Sequence, residues 1–262
     1  MIDVHYHLLY GVDDGPKVIE DSLALAQLSI AEGVTHIVAT PHANYKYSFD
    51  PAINRARLAE ISEKLNDRLT LGLGCDFHLS HQNVSDAIAN ATKYTINGSK
   101  YLLVELPDLN VSPTQLDGLS DFQYSGIVPI LTHPERSPML MSKPELMKRW
   151  LGSGCLTQIT AGSLFGRFGR RAQKACHHML KRNWVHLVAS DAHNLKNRPP
   201  MMKRAYIELK KKYGVETANR LCDQNPRAIF DGRPLAEQPE LLDMEDSMPF
   251  RSRGILGKIF SR

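Results

Sequence analysis

The chain opens Met1-Ile2-Asp3-Val4-His5-Tyr6-His7, and the spacing His5-x-His7 is the first that could do chemistry. On an extended strand alternate side chains face the same side, so the two imidazoles can point one way and share a cation. Paired surface histidines have the same spacing, so the motif alone decides little. A second pair, Asp191-x-His193, follows Val188-Ala189-Ser190 and repeats the arrangement far along the chain. Between them lie single candidates: His42 after Ala39-Thr40-Pro41, Asp76 after Gly74-Cys75, Glu105 within Val104-Glu105-Leu106, and His133 after Leu131-Thr132. Each alone reads equally well as a solvated rim residue or a hydrogen-bonded buried group. Jointly, six of seven extended runs end in His, Asp or Glu, and an apolar interior does not hold so many such groups without counterions. Asp14, from the first loop, completes a set of nine donors: His5, His7, Asp14, His42, Asp76, Glu105, His133, Asp191 and His193. Imidazoles and carboxylates without thiolates favour Mn²⁺, Fe²⁺ or Zn²⁺ over Ca²⁺ or soft metals. At three or four protein ligands per ion, with one carboxylate bridging, the set serves three divalent ions and leaves positions for water and substrate.

The elements that must position these donors follow from periodicity. Strand candidates are Ile2–His5, Thr35–Thr40, Leu69–Gly74, Tyr101–Leu106, Ile127–Thr132, Leu156–Thr160 and Val185–Ser190. Asp14-Gly15-Pro16 offers a helix start, Ile19, Leu23, Ala26 and Ile30 form a stripe at helical spacing, and Gly33 supplies a stop. Further helical stretches cover about 51–66, 81–92, 113–122, 143–152, 167–182, 201–212 and 215–223. Every gap between strands is long enough for a parallel crossover. The pattern predicts an α/β fold, a (β/α)7 TIM-like barrel with functional residues at the C-terminal ends of its strands, although an open sheet shares the periodicity.

Composition narrows the class. The 262 residues suit one large domain or two small ones at roughly 150 residues per domain, and the 42% hydrophobic content is that of a folded chain. No apolar run reaches a membrane span, and no secretory signal is visible at the N-terminus, which places the chain in the cytoplasm. Cys75, Cys155, Cys176 and Cys222 form no C-x-x-C pair and suggest neither a disulfide framework nor a zinc ribbon. A net charge of +4 without an evident basic stripe argues against nucleic acid. Past Asp231 the pattern fades into an acidic stretch and then a basic end, so 1–231 is read as one domain and 232–262 as a flexible extension. Ile255, Leu256, Ile259 and Phe260 among basic residues allow a short amphipathic helix touching a membrane or a partner, with disorder the simpler reading.

The chain resembles the PHP superfamily, named for polymerase and histidinol phosphatase domains. Within it, the resemblance is to the metal-dependent bacterial protein-tyrosine phosphatases of capsule and exopolysaccharide operons, the CpsB/CapC type. The residues that carry it are Met1-Ile2-Asp3-x-His5-x-His7, Val12-Asp13-Asp14-Gly15-Pro16, His133-x-Glu135-Arg136, Gly154-Cys155-x-Thr157-Gln158-Ile159, Val188-Ala189-Ser190-Asp191-x-His193-Asn194-Leu195 and Arg198-Pro199-Pro200. The resemblance implies a distorted seven-stranded barrel with a trinuclear centre. It assigns His5, His7 and Asp191 to the first ion, Asp76 as the bridge to the second, Glu105 and His133 to the second, and Asp14, His42 and His193 to the third. Mn²⁺ leads, with Fe²⁺ or Zn²⁺ as alternatives. The family commonly has Glu at the bridge, where this chain has the shorter Asp76, and Asp13 rivals Asp14 as a ligand or as a helix cap. Arg136 and Arg198 are implied to grip phosphate, for which a planar guanidinium is well shaped.

The implied reaction is hydrolysis of phosphotyrosine on a protein by metal-activated water, and the implied partner is an autophosphorylated bacterial tyrosine kinase. Superfamily alternatives are a small-molecule phosphatase acting on histidinol phosphate and an enzyme acting on nucleic-acid ends. A metal-dependent hydrolase of non-phosphate bonds would not require Arg136. A non-catalytic protein would not keep the full ligand set. One rival lies in the chain itself: Cys176-His177-His178-Met179-Leu180-Lys181-Arg182 has the C-x₅-R spacing of cysteine-dependent phosphatases. It contains no glycine to curl a phosphate loop and sits in a helical stretch, so the match reads as coincidence.

Overall fold

A computed structural model describes residues 1–79, 81–106 and 113–242. Nine strands run in chain order: β1 (Ile2–Tyr6), β2 (His36–Ala39), β3 (His42–Ala43), β4 (Thr70–Leu73), β5 (Asp76–His78), β6 (Tyr101–Glu105), β7 (Val128–Thr132), β8 (Leu156–Thr160) and β9 (Leu187–Ala189). All pair in parallel, in two sheets ordered β1-β2-β4 and β3-β5-β6-β7-β8-β9. The seven extended runs are therefore present, but they do not form one continuous ladder. Two runs are interrupted, at Thr40-Pro41 and at Gly74-Cys75, and each passes there from the first sheet into the second. Pro41 has no N–H to donate to a ladder. At Gly74 the backbone approaches Ile96 so closely that a Cβ would sit 3.0 Å from its Cγ1. The interrupted strands stay neighbours through Gly74 N–H to Ala39 O (2.9 Å) and Asp76 N–H to Pro41 O (3.1 Å).

The outer edges of the two sheets also meet. Tyr6 bridges Ala192 in parallel, Asp191 N–H donates to His5 O (2.9 Å), and Ser190 N–H donates to the buried Asp3 carboxylate (3.0 Å). A side chain thus completes what the ladder leaves open.

Alternation places chemistry at the strand ends. Val38, Leu103, Ile130, Leu156 and Leu187 join Ile2, Val4 and Ile229 in one buried cluster. Two residues beyond Leu103 and Leu156 on the same faces stand Glu105 and Gln158, so this inner surface turns from apolar to polar toward the strand C-termini. Helices cover the outside. Pro51–Leu65 is capped by Asp50, whose carboxylate accepts from Ala52 N (2.8 Å) and Ile53 N (3.2 Å). Gly169–Lys181 buries Ala172, Ala175, Cys176, Met179 and Leu180 at helical spacing. Met202–Tyr213 lies beside it, with His177 Nδ1 2.9 Å from the Tyr213 hydroxyl.

The first helix departs from expectation. It spans Ile19–Ala31 and does not start at Asp14-Gly15-Pro16. That tripeptide is held in a turn instead: Gly15 N–H donates to Asp13 Oδ1 (2.8 Å), and a Cβ at Gly15 would sit 2.8 Å from His7 O. The expected stretch at 215–223 continues to 230, as Val215–Asn219, a wider turn at Arg220–Gln224, and Asn225–Phe230. After Phe230 there is no further helix or strand among the described residues. The segment nevertheless returns to the body, where Leu242 N–H meets Arg182 O (3.1 Å) and Trp184 Nε1 donates to Leu242 O (3.2 Å). The amphipathic stretch around residues 251–262 lies outside the described residues.

One buried histidine away from the strand ends sets a pH dependence. His186 accepts the Thr157 N–H at Nδ1 (3.2 Å), and burial, aided by Arg220, lowers its pKa to about 4. Because the folded pKa lies below the unfolded value near 6.5, the unfolded chain binds the extra proton first, and stability falls as pH drops through this window. From pH 7 to 4.5 this residue costs about 2 kcal/mol. His186→Asn keeps an acceptor for Thr157 N–H and removes the titration. Urea unfolding at both pH values should show a loss smaller by about that amount in the variant; equal losses in the two proteins would refute the assignment.

Candidate metal centre

Both imidazoles that leave β1 are fully buried and oriented from behind. His5 Nδ1 lies 2.8 Å from Gln158 Oε1 on β8, and His7 Nδ1 lies 2.7 Å from Asp13 Oδ2. In each ring this leaves Nε2 facing the cavity without a hydrogen-bond partner. His42 Nδ1 and both Asp76 oxygens are likewise buried and unsatisfied. Such a concentration of orphaned donors is what cations would satisfy. The carboxylates close in: Asp191 Oδ1 is 3.4 Å from His5 Nε2 and 3.5 Å from His7 Nε2, and Asp76 Oδ2 is 3.5 Å from His5 Nε2 and 3.1 Å from His42 Nδ1.

Among the described residues four groups of donor atoms lie close enough to hold an ion: His7, Asp14, His42 and His193; His5, His7 and Asp76; His5, His133 and Asp191; and His42, Asp76 and Glu105. All nine donors read from the sequence fall in at least one group. The partition differs from the one the family resemblance implied. His7 also sits with the Asp14 group, His133 sits with Asp191, and Asp76 is shared between two groups, where a bridge is needed. Asp14 Oδ1 lies 3.4 Å from His42 Nε2 and 3.3 Å from His193 Nε2, whereas Asp13 is taken up by His7 and by Gly15 N–H. The geometry aims Asp14 at the cavity and sets Asp13 behind a ligand.

Two arginines share the buried Asp191. Arg136 Nη1 donates to Asp191 Oδ2 (2.7 Å), Arg198 Nη2 donates to the same oxygen, and Arg198 Nη1 lies 2.9 Å from His193 Nε2. Asp191 and His133 both adopt positive φ, +53° and +37°, a cost for residues with a Cβ that the surrounding hydrogen bonds impose.

The electrostatics show strong coupling. Burial would lower the His5 and His42 pKa values, but Asp76 and Asp191 raise His5 to about 9, and Asp14 and Asp76 raise His42 to about 11. Burial works against the ionised Asp76 and Asp191, yet His5 and its neighbours hold both well below the usual carboxylate range. Glu105 goes the other way, to about 7, through burial and the Asp76 charge. Burial and His7 lower His193 to about 4. Divalent cations bound among these groups would compete with their protons and balance the carboxylate charge.

Sequence reasoning missed the supports. Gln158 shows its position only once the inner face is known. Asp3 alternates with His5 and His7, a signal available in Asp3-x-His5-x-His7. Glu135, buried, accepts from Thr160 N (2.9 Å) and Ser163 Oγ (2.6 Å) and so pins the turn between His133 and Arg136. No basic stripe is evident in the sequence, yet residues 161–213 carry 13 of the 32 Lys and Arg and only Asp191 and Glu208 among the acids.

Residues 1–231 match the family described as Capsular polysaccharide synthesis, CpsB/CapC. The chain belongs to this family. It is 36% identical over 243 residues to the tyrosine-protein phosphatase CpsB of Streptococcus pneumoniae, covering 88% of this chain and 98% of that protein. A crystal structure from work on YwqE of Bacillus subtilis and CpsB of S. pneumoniae, described as metal-dependent tyrosine phosphatases, superimposes with a TM-score of 0.86. The match has 30% identity and covers 94% of this chain and 100% of that one. An organophosphorus hydrolase variant aligns at a TM-score of 0.58 and 13% identity, over 87% of this chain and 92% of that one, which shows likeness of fold alone.

In this CpsB/CapC chain Cys176 is buried within the Gly169–Lys181 helix, and burial pushes its thiol pKa far up. It can neither ionise readily nor curl around phosphate. Cys176→Ser should therefore leave phosphatase activity within about twofold of the parent; its loss in a folded variant would reinstate the thiol. Removing a group that orients a ligand imidazole costs roughly 10–100-fold in metal affinity. Asp13→Ala should show such a loss for Mn²⁺ by calorimetry, with the circular dichroism unchanged; parent-like affinity would remove Asp13 from this role.

Proposed function

We infer that this CpsB/CapC chain is a metal-dependent protein-tyrosine phosphatase of capsule or exopolysaccharide synthesis. One observation carries the reading: six metal-type donors (Asp14, His42, Asp76, Glu105, His133 and Asp191) line one cavity of about 300 Å³ together with Arg136 and Arg198, and His5, His7 and His193 lie within ligand distance of that set. The names of its relatives favour phosphotyrosine over histidinol phosphate or nucleic-acid ends. The substrate proposed is an autophosphorylated tyrosine kinase. The two sheets, joined at both margins, are taken as one distorted seven-stranded barrel of PHP type formed by residues 1–231.

The donor set fits three divalent ions, Mn²⁺ first and Fe²⁺ or Zn²⁺ as alternatives, held by His5, His7, Asp14, His42, Asp76, Glu105, His133, Asp191 and His193. When bound, such ions acidify water and offset negative charge on a phosphate. Gln158 and Asp13 fix which nitrogen of His5 and His7 faces the cavity. Arg136 and Arg198 are part-exposed, are anchored through Asp191, and have further N–H donors for phosphate oxygens. Hydrolysis joins a water oxygen to phosphorus and breaks the bond from phosphorus to the tyrosine oxygen. No covalent intermediate on the chain is needed.

Activity on a phosphotyrosyl peptide should disappear on chelation and return with Mn²⁺. Arg136→Ala should lower kcat/KM by roughly 10²–10³-fold, the usual cost of one preorganised donor to developing charge. Full activity after chelation, or in Arg136→Ala, would sink the reading.

A further inference from the structure

A second cavity, about 240 Å³, opens beside the metal-type cluster, and Leu106, His133 and Arg136 line both. Its remaining wall is mixed: Pro134, Leu140 and Phe168 form an apolar side, and Thr132 and Ser137 add two hydroxyl-bearing residues. Leu140 is buried in the main core, and Phe168 is fixed in place, with the Arg136 guanidinium 4.3 Å from its ring centroid and its Cε2 3.3 Å from where a Gly162 Cβ would be. Arg136 therefore stands at a junction. Its Nη1 faces Asp191 and the donor cluster, while its guanidinium plane covers an aromatic ring in the neighbouring cavity.

Resting on the phosphatase reading above, we propose that this second cavity is the subsite for the aromatic ring of the substrate, with Phe168 and Leu140 as its specificity-determining residues. In an aryl phosphate the flat apolar ring is joined to the phosphate through a single oxygen. A site selecting it needs charge on one side of the junction and apolar wall on the other, as found on the two sides of Arg136. The ring would bury apolar surface against Phe168, Leu140 and Leu106 and gain the aromatic contact with Phe168. A phosphoserine has one carbon between phosphate and backbone. Placing its phosphate at the same donors would bring peptide N–H and C=O groups against Phe168, Leu140 and Pro134, where they lose water, while the nearby Thr132 and Ser137 hydroxyls are already engaged with Val104 O and Leu140 N. Discrimination then follows from cavity chemistry and not from the donor cluster, which treats all phosphomonoesters alike.

The test compares the metal-loaded parent, Phe168→Ala and Leu140→Phe, the last filling the cavity. Substrates are phosphotyrosyl and phosphoseryl peptides of one sequence. A peptide with phosphonomethylphenylalanine and inorganic phosphate serve as binding probes in calorimetry. In both variants the ratio of kcat/KM for phosphotyrosine over phosphoserine should fall about tenfold or more. Affinity for the aryl phosphonate should drop in step, and affinity for inorganic phosphate should stay within about twofold of the parent. A parallel fall for inorganic phosphate would mean that Phe168 works only by positioning Arg136, and an unchanged ratio would mean that the ring binds elsewhere; either overturns the subsite. A parent that binds both probes but hydrolyses no phosphotyrosine would instead fail at the phosphatase reading and take the subsite with it.

Discussion

Asp191 is a fully formed carboxylate with almost no access to solvent, and much of the structure can be read as a response to that fact. Its backbone N–H closes onto His5 of the first strand, and its side chain faces His5, His7, Arg136 and Arg198. Burying a lone carboxylate costs several kcal/mol unless positive charge and hydrogen bonds surround it. Here they come from three places in the chain, so the contacts that join the sheet margins also assemble the site. The left-handed backbone at Asp191 is a local cost tolerated because these contacts over-determine it.

The same constraint explains how the imidazoles are used. An imidazole binds a cation only through an unprotonated nitrogen, and Gln158 and Asp13 hold the opposite nitrogen in each of the two deepest rings. The unsatisfied Nε2 atoms and the free oxygens of Asp76 then face one another across a gap of cation size. The net charge of +4 conceals both sides of this balance. A buried pool of carboxylates and imidazoles is faced by Arg136 and Arg198, so an anionic substrate meets local positive charge that the total does not reveal.

Arg136 links the cluster to what lies beside it. It pairs with Asp191, packs on Phe168, and lines two adjoining cavities, of which the one holding Phe168 and Leu140 carries more apolar surface. Glu135, next to it, is buried and points away, accepting from Thr160 and Ser163. Adjacent residues of opposite charge are thus assigned opposite tasks, one holding the turn and the other facing the ligand.

By itself the sequence determined the donor types, the parallel α/β pattern and the family. Those signals are local: alternation along a strand puts His5 with His7, and an apolar run ending in His, Asp or Glu marks a polar strand end wherever the strand lies. The helix Pro51–Leu65, read as about 51–66, was legible for the same reason, whereas its Asp50 cap came from the structure. Tertiary structure alone decided which donors lie close enough to share a cation, that Asp14 faces His42 and His193 while Asp13 braces His7, and that two strand runs break and change sheets. It also decided that Asp14-Gly15-Pro16 forms a site turn and not a helix start. Each of these depends on groups distant in sequence, as in the contact between Ser190 and Asp3 across 187 residues. Periodicity carries no information about such pairs, because the direction of a loop is set by what it meets on arrival and not by the residues it contains.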